Sequence, residues 1–261
     1  MLRPRIIPCL LVKDKGLVKT VKFSSPRYVG DPVNAVRIFN EKEVDELMVL
    51  DIDATRESRD PDFKSIAYLA AECQMPLCYG GGVKAPEQVE RIVRLGVEKV
   101  AMSTAAIENP DVINVSAEVV GSQSVVVVLD VKKNHSSGKY EVWTRNAQRN
   151  THRTAVEVAA EMQERGAGEI VVNSIDNDGT MTGYDLELLD EVRGVISVPI
   201  TILGGAGSVA DLAMLAGRYG TLGIAAGSLF VFKGPRKAVL INYPSRSQRD
   251  ALLCNSGRRD V

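Results

Sequence analysis

The sequence contains few residues of the kinds that build metal centres and disulfide frameworks. It has four cysteines and two histidines in 261 residues, and no two cysteines form a Cys-x-x-Cys pair. We therefore expect no structural zinc site, and no cofactor is indicated because a dinucleotide-binding glycine fingerprint is missing as well. Unpaired cysteines of this kind predict a reduced, cytoplasmic protein.

Long apolar segments and an excess of one charge sign are also absent. No run of about 18 apolar residues occurs, so no membrane-spanning helix is predicted. The apolar stretch near the N-terminus is too short for a signal peptide. Lysine and arginine number 32 against 33 aspartates and glutamates, which gives a net charge of -1. Without a long basic run, the chain is not expected to bind nucleic acid or a membrane surface.

The sequence does contain a regular alternation of short apolar runs with amphipathic stretches. The runs are rich in β-branched residues and do not alternate with polar ones, which is typical of strands buried on both faces. They cover residues 5–12, 46–52, 75–79, 98–102, 124–131, 169–175, 198–203 and 222–226. Helical spacing lies between them, as in residues 85–95 and in 154–165, which Gly166 follows as a C-cap signal. Eight strand–helix units predict an α/β fold, a (β/α)8 TIM barrel.

Two segments of the chain repeat at an offset of about 125 residues. DIDAT (51–55) resembles SIDNDGT (174–180), and YGGGVK (79–84) resembles LGGAGS (203–208). The barrel therefore reads as two half-barrels. We predict one barrel domain over residues 1–244, a frayed tail over 245–261, and a polar loop at 12–32 that covers the active site as a lid.

Catalytic residues of such barrels lie at the C-terminal ends of the strands. Each half carries a glycine-rich turn there, Gly81–Gly82 in the first and Gly204–Gly205 in the second. Backbone N–H groups exposed in such turns bind phosphate, so two turns at one mouth suit a substrate with a phosphate at each end. A tight strand-to-helix turn with no ligand is the alternative. Neighbouring candidates for the phosphate sites are Thr104, Gly227 and Ser228.

Asp130 ends a run of four valines and a leucine. A carboxylate in that position either titrates near neutrality because of desolvation, or pairs with Lys132 two residues on. General acid/base work at the mouth is the preferred interpretation, and a rim salt bridge is the alternative. Asp176 and Asp178 in the SIDNDGT turn are open to the same question, with turn capping as the structural alternative.

Four charged residues begin strands at the opposite end of the predicted barrel. Arg5, Glu46, Lys99 and Glu169 alternate in sign and come from four different strands. On position alone, paired ion bridges that close the barrel bottom are the favoured reading.

Taken together, the motifs resemble the cyclase subunit of imidazole glycerol phosphate synthase, in the histidine-biosynthesis barrel family. The resemblance covers residues 1 to about 243 and rests on motifs in order: RIIPCL, GDPV, DELMVLDIDA, YGGGV, AAIENP, GSQSVVVVLDVK, RGAGEIVVNSIDNDGT, GYD and GGAG. It implies a glutaminase partner at the barrel bottom and ammonia that travels through the barrel. At the mouth, ammonia attacks a bisphosphorylated ribulosyl-formimino carboxamide ribotide.

The resemblance also implies roles for individual residues. Arg5, Glu46, Lys99 and Glu169 map onto the family's ammonia gate, which reverses the purely structural reading. Lys19 and Asp130 map onto catalytic residues, and Asp178 with Gly179 falls in the second phosphate region. The family's other catalytic aspartate is here Leu11, which cannot transfer a proton. Ser103, Asn173 and Leu203 also depart from the usual mouth residues.

Second copies of this family occur with surface-polysaccharide genes, and CLLVKDKGLVKTVKF and GSLFVFKGPRKAVLINYP resemble that subgroup. Three interpretations follow. The chain is an ammonia-delivering subunit with altered cyclase chemistry, in amidino-sugar synthesis for lipopolysaccharide. Alternatively it is a working cyclase of histidine biosynthesis, or a non-catalytic partner that activates a glutaminase.

Overall fold

A computed structural model describes residues 3–254 of the chain. It contains fourteen strands and ten α-helices within those residues. The strands are β1 (Arg5–Lys13), β2 (Gly16–Val21), β3 (Ser24–Gly30), β4 (Leu47–Asp51), β5 (Leu77–Gly80), β6 (Lys99–Met102), β7 (Val125–Lys133), β8 (Tyr140–Thr144), β9 (Arg149–Thr154), β10 (Glu169–Ser174), β11 (Ile200–Leu203), β12 (Gly223–Ala226), β13 (Phe232–Lys233) and β14 (Ala238–Val239). The helices are α1 (Pro32–Glu41), α2 (Phe63–Glu72), α3 (Pro86–Arg94), α4 (Thr104–Glu108), α5 (Asp111–Val120), α6 (Ala155–Glu164), α7 (Leu186–Arg193), α8 (Val209–Tyr219), α9 (Ser228–Val231) and α10 (Arg246–Cys254).

Eight of these strands form a closed parallel barrel in the order β1, β4, β5, β6, β7, β10, β11, β12. β12 pairs with β1, so the sheet has no free edge among these strands. At least one helix follows each barrel strand along the chain. The predicted (β/α)8 TIM barrel is confirmed.

Inward-facing and outward-facing residues alternate along each barrel strand, as a pleated strand requires. The inward residues between the two ends of the barrel form one apolar cluster, which includes Ile7, Met48, Val126 and Val171. The outward residues pack beneath the helices in a larger cluster. Because both faces of the barrel strands are buried, their sequences read as continuous apolar runs.

The two half-barrels share one backbone plan. β1 continues into the antiparallel hairpin β2–β3, and β7 continues into the antiparallel hairpin β8–β9. The prediction of a loop over residues 12–32 is therefore wrong. Most of that segment is strand, because β2 pairs with Leu11, Val12 and Lys13 at the end of β1.

The prediction of a frayed tail over residues 245–261 is wrong for its described part. Helix α10 occupies most of that part, and the Arg249 guanidinium donates to the backbone oxygen of Glu43 at 2.6 Å. The same guanidinium stacks over the Tyr243 ring at 5.2 Å, so the structured chain runs past residue 244. Residues 255–261 lie outside the described part of the chain. Within residues 3–254, no helix combines the length and apolar character needed to cross a membrane.

Candidate functional site

The carboxyl ends of the barrel strands bring the predicted site residues together at one mouth. Leu11 on β1 pairs in register with Leu50 on β4, and Asp130 on β7 pairs with Asn173 on β10. All four side chains lie on the inward faces of their strands. At these corresponding positions, the first half-barrel has two leucines, whereas the second half-barrel has a carboxylate and an amide.

Asp130 is held by two neighbouring side chains. The Asn173 amide Nδ2 donates to Asp130 Oδ1 at 2.9 Å, and the Ser103 hydroxyl lies 3.5 Å from Asp130 Oδ2. Burial raises the pKa of Asp130 to about 7, although the hydrogen bonds from Asn173 and Ser103 act in the opposite direction. The carboxyl can therefore give or take a proton near neutral pH. Lys132 is not among the groups that shift the pKa of Asp130, and its ammonium lies over the Trp143 ring, 5.4 Å from the ring centroid.

Hairpin β2–β3 folds over the mouth and carries Lys19 into it. The Lys19 ammonium donates to the backbone oxygen of Cys9 at 2.5 Å, and its side chain is only 5% exposed. Burial lowers the pKa of Lys19. Asp178 anchors the hairpin, since its Oδ2 accepts from the Thr20 hydroxyl at 2.7 Å and from the Phe23 N–H at 3.1 Å.

The first glycine turn lines a pocket together with the start of α4. Gly81 and Gly82 have positive φ angles of 127° and 72°, and a Cβ at Gly81 would lie 2.6 Å from the Asp51 backbone oxygen. Ser103 and Thr104 complete this wall of the pocket. No side chain caps the N-terminus of α4, so its first N–H groups are available to an anion.

The second glycine turn lines a matching pocket with the start of α9. Gly204 and Gly205 have φ angles of 99° and 104°, and a Cβ at Gly205 would lie 2.0 Å from the Gly183 backbone oxygen. Gly227 makes room for the Lys19 ammonium, which a Cβ there would approach to 2.5 Å. The α9 N-terminus also lacks a side-chain cap. Other predicted phosphate residues line this pocket as well: Asp178, Gly179 and Ser228.

The two pockets meet at the centre of the mouth, because Leu11 and Asp178 line both of them. Helices α1, α2, α6, α7 and α8 have N-cap side chains that accept first-turn N–H groups, whereas α4 and α9, like α3 and α5, have no such side chain. Uncapped helix starts at both pockets match the two-phosphate interpretation of the glycine turns.

Arg5, Glu46, Lys99 and Glu169 form a closed ring at the opposite end of the barrel. Arg5 pairs with Glu46 and lies 2.8 Å from Glu169, while Lys99 lies 2.9 Å from Glu46 and 2.8 Å from Glu169. Burial alone would raise the pKa of Glu169, but attraction to Lys99 and Arg5 outweighs it, so the pKa is lowered. The Glu169 carboxylate therefore stays charged, and the apolar interior begins directly above the ring.

Some residues at the site had not been predicted. Thr20 and Phe23 line the first pocket because the hairpin folds inward, and Asn146 reaches the same pocket from the tip of hairpin β8–β9. Residues 145–147 all have positive φ angles of 55–59°, and they form the turn between β8 and β9. Asp176 accepts from the Lys133 N–H on β7 at 3.0 Å, so its carboxylate joins the turn after β10 to the neighbouring strand and does not cap its own turn by this bond. Among residues 3–254, no group of three or more potential ligands is arranged to hold a metal ion.

Fold and site together define a (β/α)8 barrel built from two half-barrels, with two glycine-turn pockets that meet at its mouth. A family model described as "Histidine biosynthesis protein" matches residues 5–235. The chain is 56% identical to the "Putative imidazole glycerol phosphate synthase subunit HisF" of Leptospira interrogans, over 97% of this chain and all of that protein. It is 51% identical to the "Putative imidazole glycerol phosphate synthase subunit hisF2" of Pseudomonas aeruginosa, over 96% and 99% of the two chains. It is 43% identical to the imidazole glycerol phosphate synthase subunit HisF of Caulobacter vibrioides, over 89% of each.

The chain therefore belongs to the histidine-biosynthesis family, in its HisF cyclase-subunit branch, and it groups with the second copies of that subunit.

Proposed function

We propose that this chain is the barrel subunit of a glutamine amidotransferase complex, and that it receives ammonia from a glutaminase docked at the Arg5–Glu46–Lys99–Glu169 ring. Replacement of a catalytic aspartate by Leu11 redirects the ammonia away from imidazole closure. Its destination is the amidination of a sugar for surface polysaccharide, with a separate amidotransferase performing the transfer. The observation that carries this proposal is the position of Leu11, where both phosphate pockets meet.

Support for ammonia passage comes from the barrel interior. The ring at the base is charged, whereas the layers above it are lined by Ile7, Met48, Ala101, Val126 and Val171. An apolar passage of this kind favours neutral ammonia over ammonium and over hydrated ions, because an ion would lose its solvation there. The ring limits entry until a partner rearranges it.

Support for altered chemistry comes from the mouth. Asp130 keeps the surroundings of a general acid/base, with a pKa near neutrality. Leu11 has no group that exchanges protons, and loss of one general acid/base residue costs about 10²–10⁴-fold in rate. The site therefore retains one of the two proton-transfer groups that the cyclase reaction uses in this family.

The intact Asp130 and both pockets favour a second candidate function, that of a working cyclase. The experiment that separates the two measures turnover of the ribulosyl-formimino ribotide at high ammonium, which removes the need for a glutaminase. Native protein, Leu11→Asp and Leu50→Asp are compared. Leu50 is the in-register neighbour of Leu11, so Leu50→Asp is a matched control for adding a carboxylate at the mouth.

We expect native protein and Leu50→Asp to be inactive and Leu11→Asp to gain activity. Turnover by the native protein at the rate of Leu11→Asp would instead identify a working cyclase, and the proposal would be wrong.

A further variant tests conduction against mere activation of the glutaminase. Glu46→Leu in the complex with a glutaminase subunit should change the leakage of ammonia into solution. Asp45→Asn is the control, because Asp45 lies at the same end of the barrel but accepts from the Ile6 N–H outside the ring. If the leakage of ammonia is unchanged while glutamine turnover is altered, the chain is a non-catalytic activator and the proposed passage of ammonia through the barrel is wrong.

A further inference from the structure

We propose that the amide oxygen of Asn173 is the acceptor that holds ammonia at the top of the barrel interior, beside Asp130. The inference rests on the proposed function only in its claim that ammonia arrives through the barrel. It assigns a binding subsite for the nitrogen nucleophile to the second half of the mouth.

The first observation is an unpartnered buried acceptor. Asn173 is only 6% exposed, and its Oδ1 has no hydrogen-bond partner. Leaving a buried carbonyl oxygen unpaired is unfavourable, because the oxygen has lost its hydrogen bonds to water and gained none from the protein. The described residues contain two other buried side-chain atoms of this kind, the hydroxyls of Ser116 and Thr144. Those residues lie on α5 and β8, so Asn173 is the one carried by a barrel strand.

The orientation of the amide is set by Asp130. Asn173 Nδ2 donates to Asp130 Oδ1 at 2.9 Å, and an ionised carboxylate can only accept hydrogen bonds. When Asp130 is ionised, the NH2 group must therefore face it, which turns the amide oxygen away from Asp130. Gly204 keeps the space beside that oxygen open, since a Cβ at Gly204 would lie 3.4 Å from Asn173 Oδ1.

The position of Asn173 on β10 links the ring to the mouth. Glu169, Val171 and Asn173 share the inward face of this strand, because side chains two residues apart point the same way. Glu169 belongs to the charged ring, and Val171 belongs to the apolar interior. A molecule that enters past Glu169 and follows β10 thus crosses an apolar layer and next meets the unpartnered oxygen of Asn173.

The chemistry of this oxygen fits ammonia. Ammonia has three N–H donors and one lone pair, and a carbonyl oxygen accepts an N–H without engaging the lone pair. Ammonia held this way keeps its nucleophilic pair free for the mouth, and a second N–H can reach the Asp130 carboxylate. A side chain that donates a hydrogen bond from this position would instead engage the lone pair of ammonia.

The test follows the titration of Asp130 by infrared spectroscopy of protein with 13C-labelled aspartate, with Asp130→Asn subtracted to isolate the signal. Other groups that face Asp130 are Cys9 on β1, Ser103 after β6 and Asp178 after β10. Molar ammonium chloride is compared with tetramethylammonium chloride at equal ionic strength. Tetramethylammonium has the same charge but no N–H group.

We expect ammonium chloride, which supplies ammonia by its own dissociation, to lower the pKa of Asp130 by about one unit or more relative to tetramethylammonium chloride, because ammonia held on Asn173 donates a hydrogen bond to Asp130 that favours the carboxylate. Asn173→Leu should abolish this difference. Asn150→Leu should keep it, because the Asn150 amide also donates to a carboxylate, that of Glu141 at 2.7 Å, but on a strand outside the barrel. Equal effects of the two salts on the native protein would overturn the proposal, as would an ammonium-specific shift that survives in Asn173→Leu. The comparison of salts on the native protein needs no variant at position 173, so it holds even if Asn173→Leu fails to fold.

A kinetic measurement adds a second readout. In the Leu11→Asp background, Asn173→Leu should raise the KM for ammonium about three- to tenfold, the loss expected for one neutral hydrogen bond. The KM for the ribotide should stay unchanged, and an equal rise in both would contradict an ammonia subsite. If Leu11→Asp shows no turnover, the proposed cyclase origin of the mouth fails. The infrared experiment still decides the role of Asn173, since it requires no catalysis.

Discussion

The two halves of the barrel have matching backbones but carry different side chains at the mouth. Each half contributes a strand with an antiparallel hairpin, a glycine turn and a short uncapped helix. At equivalent places, however, the first half has Leu11 and Leu50 where the second has Asp130 and Asn173. In the proposed function, both halves therefore keep a phosphate-binding pocket, while only the second half keeps a proton-transfer group.

Each hairpin is anchored by a hydrogen bond to the opposite half of the barrel. Hairpin β2–β3 of the first half is anchored on Asp178 of the second through Thr20. Hairpin β8–β9 of the second half is anchored on the first, because the Arg145 N–H donates to the Thr104 hydroxyl at 2.9 Å. Each pocket is therefore lined in part by a hairpin from the opposite half, the first by Asn146 and the second by Lys19.

The largest expected effect concerns Asp130, the acid/base group of the proposed function. In the Leu11→Asp background, Asp130→Asn should lower the ammonia-dependent kcat by about 10²–10⁴-fold, since the amide cannot exchange a proton. Asp45→Asn, which changes a carboxyl at the far end of the barrel, should leave kcat within the same order of magnitude. Full activity of Asp130→Asn would show that the reaction does not need the Asp130 carboxyl, and the proposed difference between the two halves would be wrong.

A second prediction uses the raised pKa of Asp130, about 7 when folded against an ordinary value of 3.8. Burial in the folded state favours the protonated carboxyl. Asp130 therefore makes its full contribution to the free energy of unfolding below about pH 4, and this contribution is lost as the pH rises through about 7. Between pH 5 and pH 8, native protein should lose about 3 kcal/mol of unfolding free energy relative to Asp130→Asn. Urea unfolding at both pH values measures this difference.

The first half supplies the control for that experiment. Leu11→Asn places an amide at the corresponding position without removing a titrating group, so its effect on stability should be the same at pH 5 and pH 8. A native protein that gained stability over Asp130→Asn as the pH rose would show that the folded state lowers the pKa of Asp130, and the inferred effect of burial would be wrong.

Much of this asymmetry is visible in the sequence, because it rests on residue type and strand position. The valine run before Asp130 predicts both a buried strand and a desolvated carboxylate, and the absence of a polar residue at Leu11 needs no coordinates. The barrel itself follows from eight apolar runs, since strands buried on both faces have no polar alternation.

The hairpins and the C-terminal helix could not be predicted in the same way. Residues 16–30 carry several charges and read as a loop, and they form strands because β2 pairs with the extended end of β1. The hydrogen bond between Thr20 and Asp178 joins residues 158 positions apart. Likewise, α10 is fixed partly by Arg249 against the Glu43 backbone, a contact that local composition does not indicate. The unpaired oxygen of Asn173 depends on the register of β7 with β10 and appears only in three dimensions.

The smallest expected effect tests whether the hairpin anchors are as unequal as the mouth. Thr20→Val and Thr104→Val remove one hydroxyl each with little change in volume. Thr20 is buried and donates to a carboxylate, whose hydrogen bonds contribute about 1.5–3 kcal/mol, whereas Thr104 accepts from a neutral N–H at the rim, worth about 0.5–1.5 kcal/mol. Urea unfolding should therefore rank Thr20→Val as more destabilising, and amide hydrogen exchange should quicken in β2–β3 but only slightly in β8–β9. Equal losses would mean that the two hairpins are anchored alike, and the asymmetry of this barrel would then be confined to the side chains at Leu11, Leu50, Asp130 and Asn173.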